Sequence, residues 1–258
     1  MDHEHHVGIF FAVDKVNGVN FWKNTKTLPQ IRHAEITQMT GGAGKGQLST
    51  ISHWIDDKEQ ILLEEKRDMI FLVGEHEDEY AIDFSIDLTA KDKEVIFEDI
   101  EEGMFAIRLS DYLRESDAGE DLQTGGPIPK ENVSGTGRYF SSNGDKTAKN
   151  VWGKRARWVA LQGVRKGKVV GIAILNHPAS INYPTYWHVR GYGLFSANPL
   201  GQGDFQRQRP KPYRKNKVIP LHLTLEPGET VHFRFLVIVY DGIRTPEQIE
   251  ERFKKFVE

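Results

Sequence analysis

Tyr80 to Leu88 read YAIDFSIDL. Tyr80, Ile82, Phe84, Ile86 and Leu88 fall on one side of an extended chain, and Ala81, Asp83, Ser85 and Asp87 on the other. Strict alternation is the period of a strand with one face on a core, because successive side chains point to opposite faces. The same reading spreads outward. Ile31 to Met39 and Leu48 to Ile55 are strand candidates, and Ile61 to Val73 is a long strand or a bent pair. Gly41 to Gly46, GGAGKG, lacks the spacing of a phosphate loop and reads as a hairpin loop, so no nucleotide is expected. Towards the amino terminus, Gly8 to Trp22 gives two short apolar segments about a turn at Val16-Asn17-Gly18.

Downstream, Glu94 to Phe97 and Met104 to Leu109 are further strands. Arg157 to Leu161 and Lys168 to Leu175 flank Arg165-Lys166-Gly167 as a hairpin, and Leu221 to Leu225 and Val231 to Tyr240 flank Glu226-Pro227-Gly228-Glu229 as a second. Asp111 to Asn150 is polar and weakly periodic, long enough to suggest short elements or a lid. One helix is well marked. Thr245 stands as N-cap, Pro246 in the first turn and Gln248 as the far half of a capping box, with Ile249, Phe253 and Phe256 on one side. Strands joined by turns rather than crossover helices predict an all-β fold, a large antiparallel sandwich with one C-terminal helix, as a single domain over 1–258.

The balance of 34 basic and 37 acidic residues, a net charge of −3, argues against a general nucleic-acid partner. With no cysteine there is no disulfide, thiolate metal site or cysteine nucleophile. No apolar run reaches the length of a membrane span. No Ser-His-Asp elbow, dinucleotide fingerprint or oxygenase triad is apparent, which argues against the enzymes built on them.

The densest chemistry lies in Asn176 to Gly201, NHPASINYPTYWHVRGYGLFSANPLG. On a strand, Trp187 and Val189 share one face and His188 and Arg190 the other, about 7 Å apart. Arg offers a planar fork to a carboxylate or phosphate, and His moves protons near neutral pH. The spacing alone fits a solvated strand face equally well. His3, His5 and His6 cluster at the start, and His177 and His188 would complete a metal site only if the fold brought them together. A divalent metal therefore stays open, with no metal ligand assigned. Glu64, Glu65 and Arg67, then Glu101, Glu102 and Arg108, pair acids with bases; such pairs line sugar sites or sit as surface ion pairs. Lys154, Arg155 and Arg157 form a basic wall or a solvated face. Arg207 to Lys217 is a basic loop, fit to meet an anion or simply solvated. The five Trp and eight Tyr are enough for sugar-stacking platforms or for the core.

WHVRGYGLFSANPLG, the preceding NHP, HEHHVGIFFAVDKVNGVNFW, EEGMFAIRL, VWGKRARWV and the closing VIVYDG stand in one order along the chain. In this the sequence resembles a bacterial family of uncharacterised PmoA-like proteins, catalogued as "methane oxygenase PmoA", over essentially its whole length. The resemblance implies a β-supersandwich similar to galactose-mutarotase-like and polysaccharide-lyase proteins, with the positions of His5, His6, His188 and Arg190 as motif positions. His177 lies in a matching NHP where the family more often has Asp before the His; here that residue is Asn176. The family pattern also usually carries strands before the first motif, so the chain is expected to be short at its amino terminus. It reads as cytoplasmic as it stands, and as periplasmic or secreted if a signal precedes it. Together these readings suggest a carbohydrate-active protein taking a small-molecule or oligosaccharide substrate, as a lyase, hydrolase or epimerase-like enzyme. His188, His6, His177 and Glu102 are the expected catalytic groups. Arg190, Arg108, His5, Trp187, Asn198 and Arg155 are the expected substrate contacts. A non-catalytic carbohydrate-binding module is the alternative, and metal-dependent oxidation, as in the family name, a third.

Overall fold

The computed structural model describes residues 8–23, 26–73, 78–115, 135–208 and 217–258. In chain order the strands are β1 (Ile9–Val13), β2 (Gln30–Gly42), β3 (Lys45–Ile55), β4 (Ile61–Val73), β5 (Glu79–Ala90), β6 (Val95–Ile96), β7 (Gly103–Arg108), β8 (Arg138–Ser141), β9 (Trp158–Arg165), β10 (Lys168–Asn176), β11 (Tyr186–Val189), β12 (Leu194–Asn198), β13 (Thr224–Leu225) and β14 (Thr230–Asp241). The helices are α1 (Ala148–Val151), α2 (Gln202–Gln208) and α3 (Pro246–Val257). No described helix is long and apolar enough to cross a membrane.

An eight-stranded sheet, ordered β2-β3-β4-β5-β14-β10-β9-β8, faces a four-stranded sheet ordered β1-β7-β12-β11. All of their strand pairs are antiparallel. The fold is therefore the all-β antiparallel sandwich that the alternation predicts. Phe84 and Ile86 of β5 enter the core between the sheets with Phe233 and Phe235 of β14. They meet Phe105 of β7, whose ring stacks on Phe235 at 4.7 Å and takes Phe84 edge-on at 4.9 Å. Each such ring withdraws well over a hundred Å² from water and makes offset or edge contacts that add to its burial.

The far face of the large sheet carries a second core. Ala81, Trp158, Ala160, Ala173, Leu175, Leu236, Ile238 and Tyr240 are buried there under Ile249 and Phe253 of α3. The helix is set as its sequence predicts: Thr245 accepts from Gln248 N, and the Gln248 side chain accepts from Thr245 N. It is pinned by Glu250, which accepts from Trp158 Nε1 at 2.6 Å and Arg157 Nη2 at 2.9 Å. Arg252 pairs with the buried Glu79 at 2.9 Å.

Three expectations need correction. Val231 to Tyr240 does not form a hairpin with Leu221 to Leu225: β14 lies between β5 and β10, while β13 pairs with β6 in a separate two-stranded ribbon. The alternation of Tyr80 to Leu88 breaks at its start, where Tyr80 is exposed and Ala81 buried, because α3 covers that end of the opposite face. Glu64, Glu65 and Arg67 of β4 lie in the large sheet and Glu101, Glu102 and Arg108 lie at β7 in the small one, so the two groups cannot line one sugar site.

Candidate active site

On β11, Trp187 and Val189 enter the core, so Tyr186 and His188 must point to the outer face of the small sheet. Opposite His188 across the ladder lies Ser196, and beyond it Ala106. Small residues there leave room, and Trp22 closes over Ala12, Ala106 and Leu194. The His188 ring, 3% exposed, lies near-parallel to Trp22 at 6.5 Å and meets Phe205 of α2 edge-on at 6.3 Å.

Three loops meet over this face. Asn198 ties two of them together: its amide donates to Ile100 O at 3.0 Å and Glu101 O at 2.8 Å, and its oxygen accepts from Leu200 N and Gly201 N. Gly201 is required at this join, since a Cβ there would stand 2.4 Å from Ile100 O. Asp99, buried, accepts from Gly203 N and Leu221 N and so anchors the start of α2. Glu101 N donates to Asp204 at 3.0 Å, and Asp14 N donates to Glu102 O at 3.0 Å, which brings in the loop after β1.

The side chains held in this way form a closed circuit. His188 meets Phe205, and Phe205 meets Trp152 at 5.5 Å. Arg190 lies over Trp152 at 5.4 Å and pairs with Glu101 at 3.2 Å. Glu101 feels Glu102 and Asp204, Glu102 feels Asp14, and Asp14 feels Lys23, the neighbour of Trp22. Trp22 returns to His188. Burial pushes the Glu101 carboxyl up from the ordinary value, with Glu102 and Asp204 adding to the rise and Arg190 opposing it. Burial likewise raises Glu102, reinforced by Asp14 and Asp204, and raises Asp14. Crowded, partly desolvated carboxyls hold their protons to higher pH than free ones, which suits them to proton exchange. Two buried polar atoms beside Arg190, Glu101 Oε2 and Trp152 Nε1, take no hydrogen bond among the described residues.

Of the expected residues, His188, Arg190 and Glu102 come together on this face. His5 and His6 lie outside the described residues. The others require correction. His177 follows β10 on the opposite side of the sandwich, under the Phe256 ring at 5.0 Å and beside Arg234 at 3.4 Å. Both sheets lie between it and His188, so the two histidines cannot share a substrate. Trp187 is a core residue, shut from solvent, with its indole donating to Ala156 O. Asn198 spends both ends of its amide on the two loops, so it positions Glu101 rather than touching a ligand. The Arg155 guanidinium holds Asn182, Pro184 O and Gln202 and covers the Tyr186 ring at 4.6 Å, which makes it a clamp between α2 and the 182–184 loop. Arg108 lies half-buried over Tyr192 at 4.9 Å, at the end of β7 away from Glu102. The basic wall dissolves as well, since Lys154 pairs with Asp145, and Arg157 with Glu250 on the α3 side. Most of the basic loop, 209–216, lies outside the described residues.

Sequence reasoning missed Asp14 and Phe205 as members of the site, and it named Glu101 and Trp22 only within wider groups of acidic and aromatic residues. The available signal for Glu101 was the motif EEGMFAIRL, which carries both glutamates, although Glu102 and Arg108 were the expected site residues within it. Among the described residues, no group of three or more His, Asp or Glu is placed to hold a metal ion.

Comparison with known proteins adds a family and a fold likeness. The sequence model of a family of unknown function, DUF6807, matches residues 1–254. No curated protein matches the sequence. Among solved structures, a "putative aldose 1-epimerase" from Escherichia coli K12 aligns at 9% identity over 86% of this chain and 70% of that chain, with a TM-score of 0.31.

Proposed function

The chain belongs to DUF6807, a family of unknown function, and from the site alone we propose that it is a carbohydrate-active enzyme working by acid–base chemistry on a sugar or uronate. The observation that carries this reading is the pair of raised carboxyls, Glu101 and Glu102, beside a guanidinium that bonds only one of them. Paired carboxyls divide acid and base duties when their surroundings differ. Glu102, with no ion pair among the described residues, is the group that exchanges a proton with the substrate. Glu101 keeps Arg190 in place, and Arg190 holds an anionic or polarised oxygen of the sugar. His188, below them, carries protons at the inner wall. The ring of Trp152 under Arg190 offers an apolar face beside the charged groups.

The burial of His188 favours one second reading, a carbohydrate-binding module in which the carboxyls only hydrogen-bond hydroxyls. One experiment separates the two. The chain, Glu102→Gln and His188→Ala are screened for thermal shift and turnover with a panel of uronates and neutral sugars. A ligand at a hundred times its Kd raises stability by about 2.7 kcal/mol. Turnover that disappears in Glu102→Gln while the shift persists supports the enzyme. A shift with no turnover in any protein supports the module. Neither shift nor turnover sinks both.

A further inference from the structure

The two sheets differ in width, and the inner faces of β2, β3 and β4 run out past the edge strand β1. A cavity of about 390 Å³ lies in the resulting corner, within the range of small-molecule sites. Phe10, Phe11 and Trp22 line it from the small-sheet side, and Thr50, Ser52 and Arg67 from the large sheet. Trp22 is shared: it lines this cavity and also lies beside His188 in the acid–base site.

The electrostatics of the two sites are opposite. The acid–base site gathers Asp14, Glu101, Glu102 and Asp204. Among the described residues the cavity lining includes Lys23, His33 and Arg67 but no carboxylate. Arg67 is held by the buried Glu65, which takes its Nε at 2.8 Å and its Nη2, and Glu65 is in turn fixed by Trp54 Nε1 at 2.9 Å. The guanidinium is thereby rigid, and its Nη1 takes no hydrogen bond among the described residues. Glu65 offsets the charge of Arg67, and Lys23 brings a second cation to the cavity mouth, where it also acts on Asp14. That ammonium likewise forms no hydrogen bond or ion pair among the described residues. The chemistry is one rigid donor, one mobile cation, two hydroxyls and a wall of aromatic rings.

We infer that this cavity binds a small monocarboxylate with a ring-sized apolar body, its carboxylate between Lys23 and Arg67 and its ring against Phe10 and Trp22. A carboxylate matches an ammonium beside a fixed guanidinium N–H, and a rigid donor costs little entropy to engage. Sugar acids and aryl acids share this chemistry.

The test is calorimetric titration of the full chain at low salt with glucuronate and with phenylacetate, each beside its neutral counterpart, glucose and phenylethanol. At least one acid is expected to bind, with its neutral counterpart roughly tenfold weaker, the effect of one charge-assisted hydrogen bond. Binding of glucuronate identifies a sugar acid, and binding of phenylacetate alone an aryl acid. Lys23 is exposed, so Lys23→Gln should fold normally and bind roughly tenfold more weakly. Ser52→Leu, which fills the cavity from the large sheet and lies outside the acid–base site, should bind at least tenfold more weakly, which separates the two sites. Failure of both acids at millimolar concentration overturns the inference, as does equal binding by Lys23→Gln.

Discussion

His188 and His177 each sit on an outer face of the sandwich, one on the small sheet and one on the large. His188 lies beneath loops that bring three raised carboxyls and an arginine together. His177 lies under a helix, its Nδ1 accepting from Ala179 N and its ring beside Arg234, which is itself bonded twice to Asp83. Burial and Arg234 lower the His177 pKa, so its neutral, structural form is favoured. A face closed by a regular helix ends as a second core, whereas a face closed by stapled loops can hold partly desolvated charge. The residue type is the same, and the kind of cover decides its use.

The largest contrast is expected in turnover. On any sugar that is converted, Glu102→Gln should lower kcat by roughly a hundredfold to ten-thousandfold, the usual weight of a general acid or base. His177→Ala should remain within about twofold of the parent. Equal losses in both variants would erase the distinction between the faces. Next comes the helix-covered face. Phe253→Ala opens the core under α3 and should cost about 3–5 kcal/mol in denaturant unfolding, with kcat of the folded fraction unchanged. Asn198→Ala should do both things at once: about 2–3 kcal/mol of stability is lost because buried carbonyls lose their donor, and activity falls because Glu101 loses its anchor. A stability loss with full activity would show that the staple does not position the carboxyl.

The smallest effect has an informative sign. A carboxyl whose pKa is raised on folding contributes stability that is full below its unfolded value and is lost as pH rises through the folded one. Glu102 is raised above 4.5 in this way. Glu102→Gln, which cannot ionise, should therefore be at least as stable as the parent at pH 7, and the gain should vanish as pH falls below 4.5. Urea midpoints at several pH values measure it. A residue whose removal stabilises the fold while abolishing turnover is retained for chemistry. A loss of stability at pH 7 would instead make Glu102 structural.

How much of this was legible depended on range. Local rules were readable: the capping box at Thr245 and Gln248, the hairpin of Arg165 to Gly167, and the opposed faces of Trp187 and His188 all follow from neighbours in sequence. The helices α1 and α2 were not visible, because four and seven residues are too short to show a period. Alternation also cannot tell what will cover a strand. Ala81 looked solvent-facing because nothing near it announces a helix more than 160 residues away. Asn198 looked like a ligand contact for the same reason: its four partners include the distant carbonyls of Ile100 and Glu101. Glu101, Asp14, Trp22 and Phe205 meet only through such long-range closures, so their residue types signalled chemistry while their partnership did not.

The overhang of the wide sheet also fixes where the chain can be written on. β2 is exposed along most of its length, and the turn at Ala43-Gly44 joins it to β3 with a Cβ-free, open position at Gly44. A tag, fluorophore or short insert placed at that tip should be silent in folding and in turnover, since it burdens neither core. It would be a handle for attaching the protein to a surface while both faces of the sandwich stay accessible.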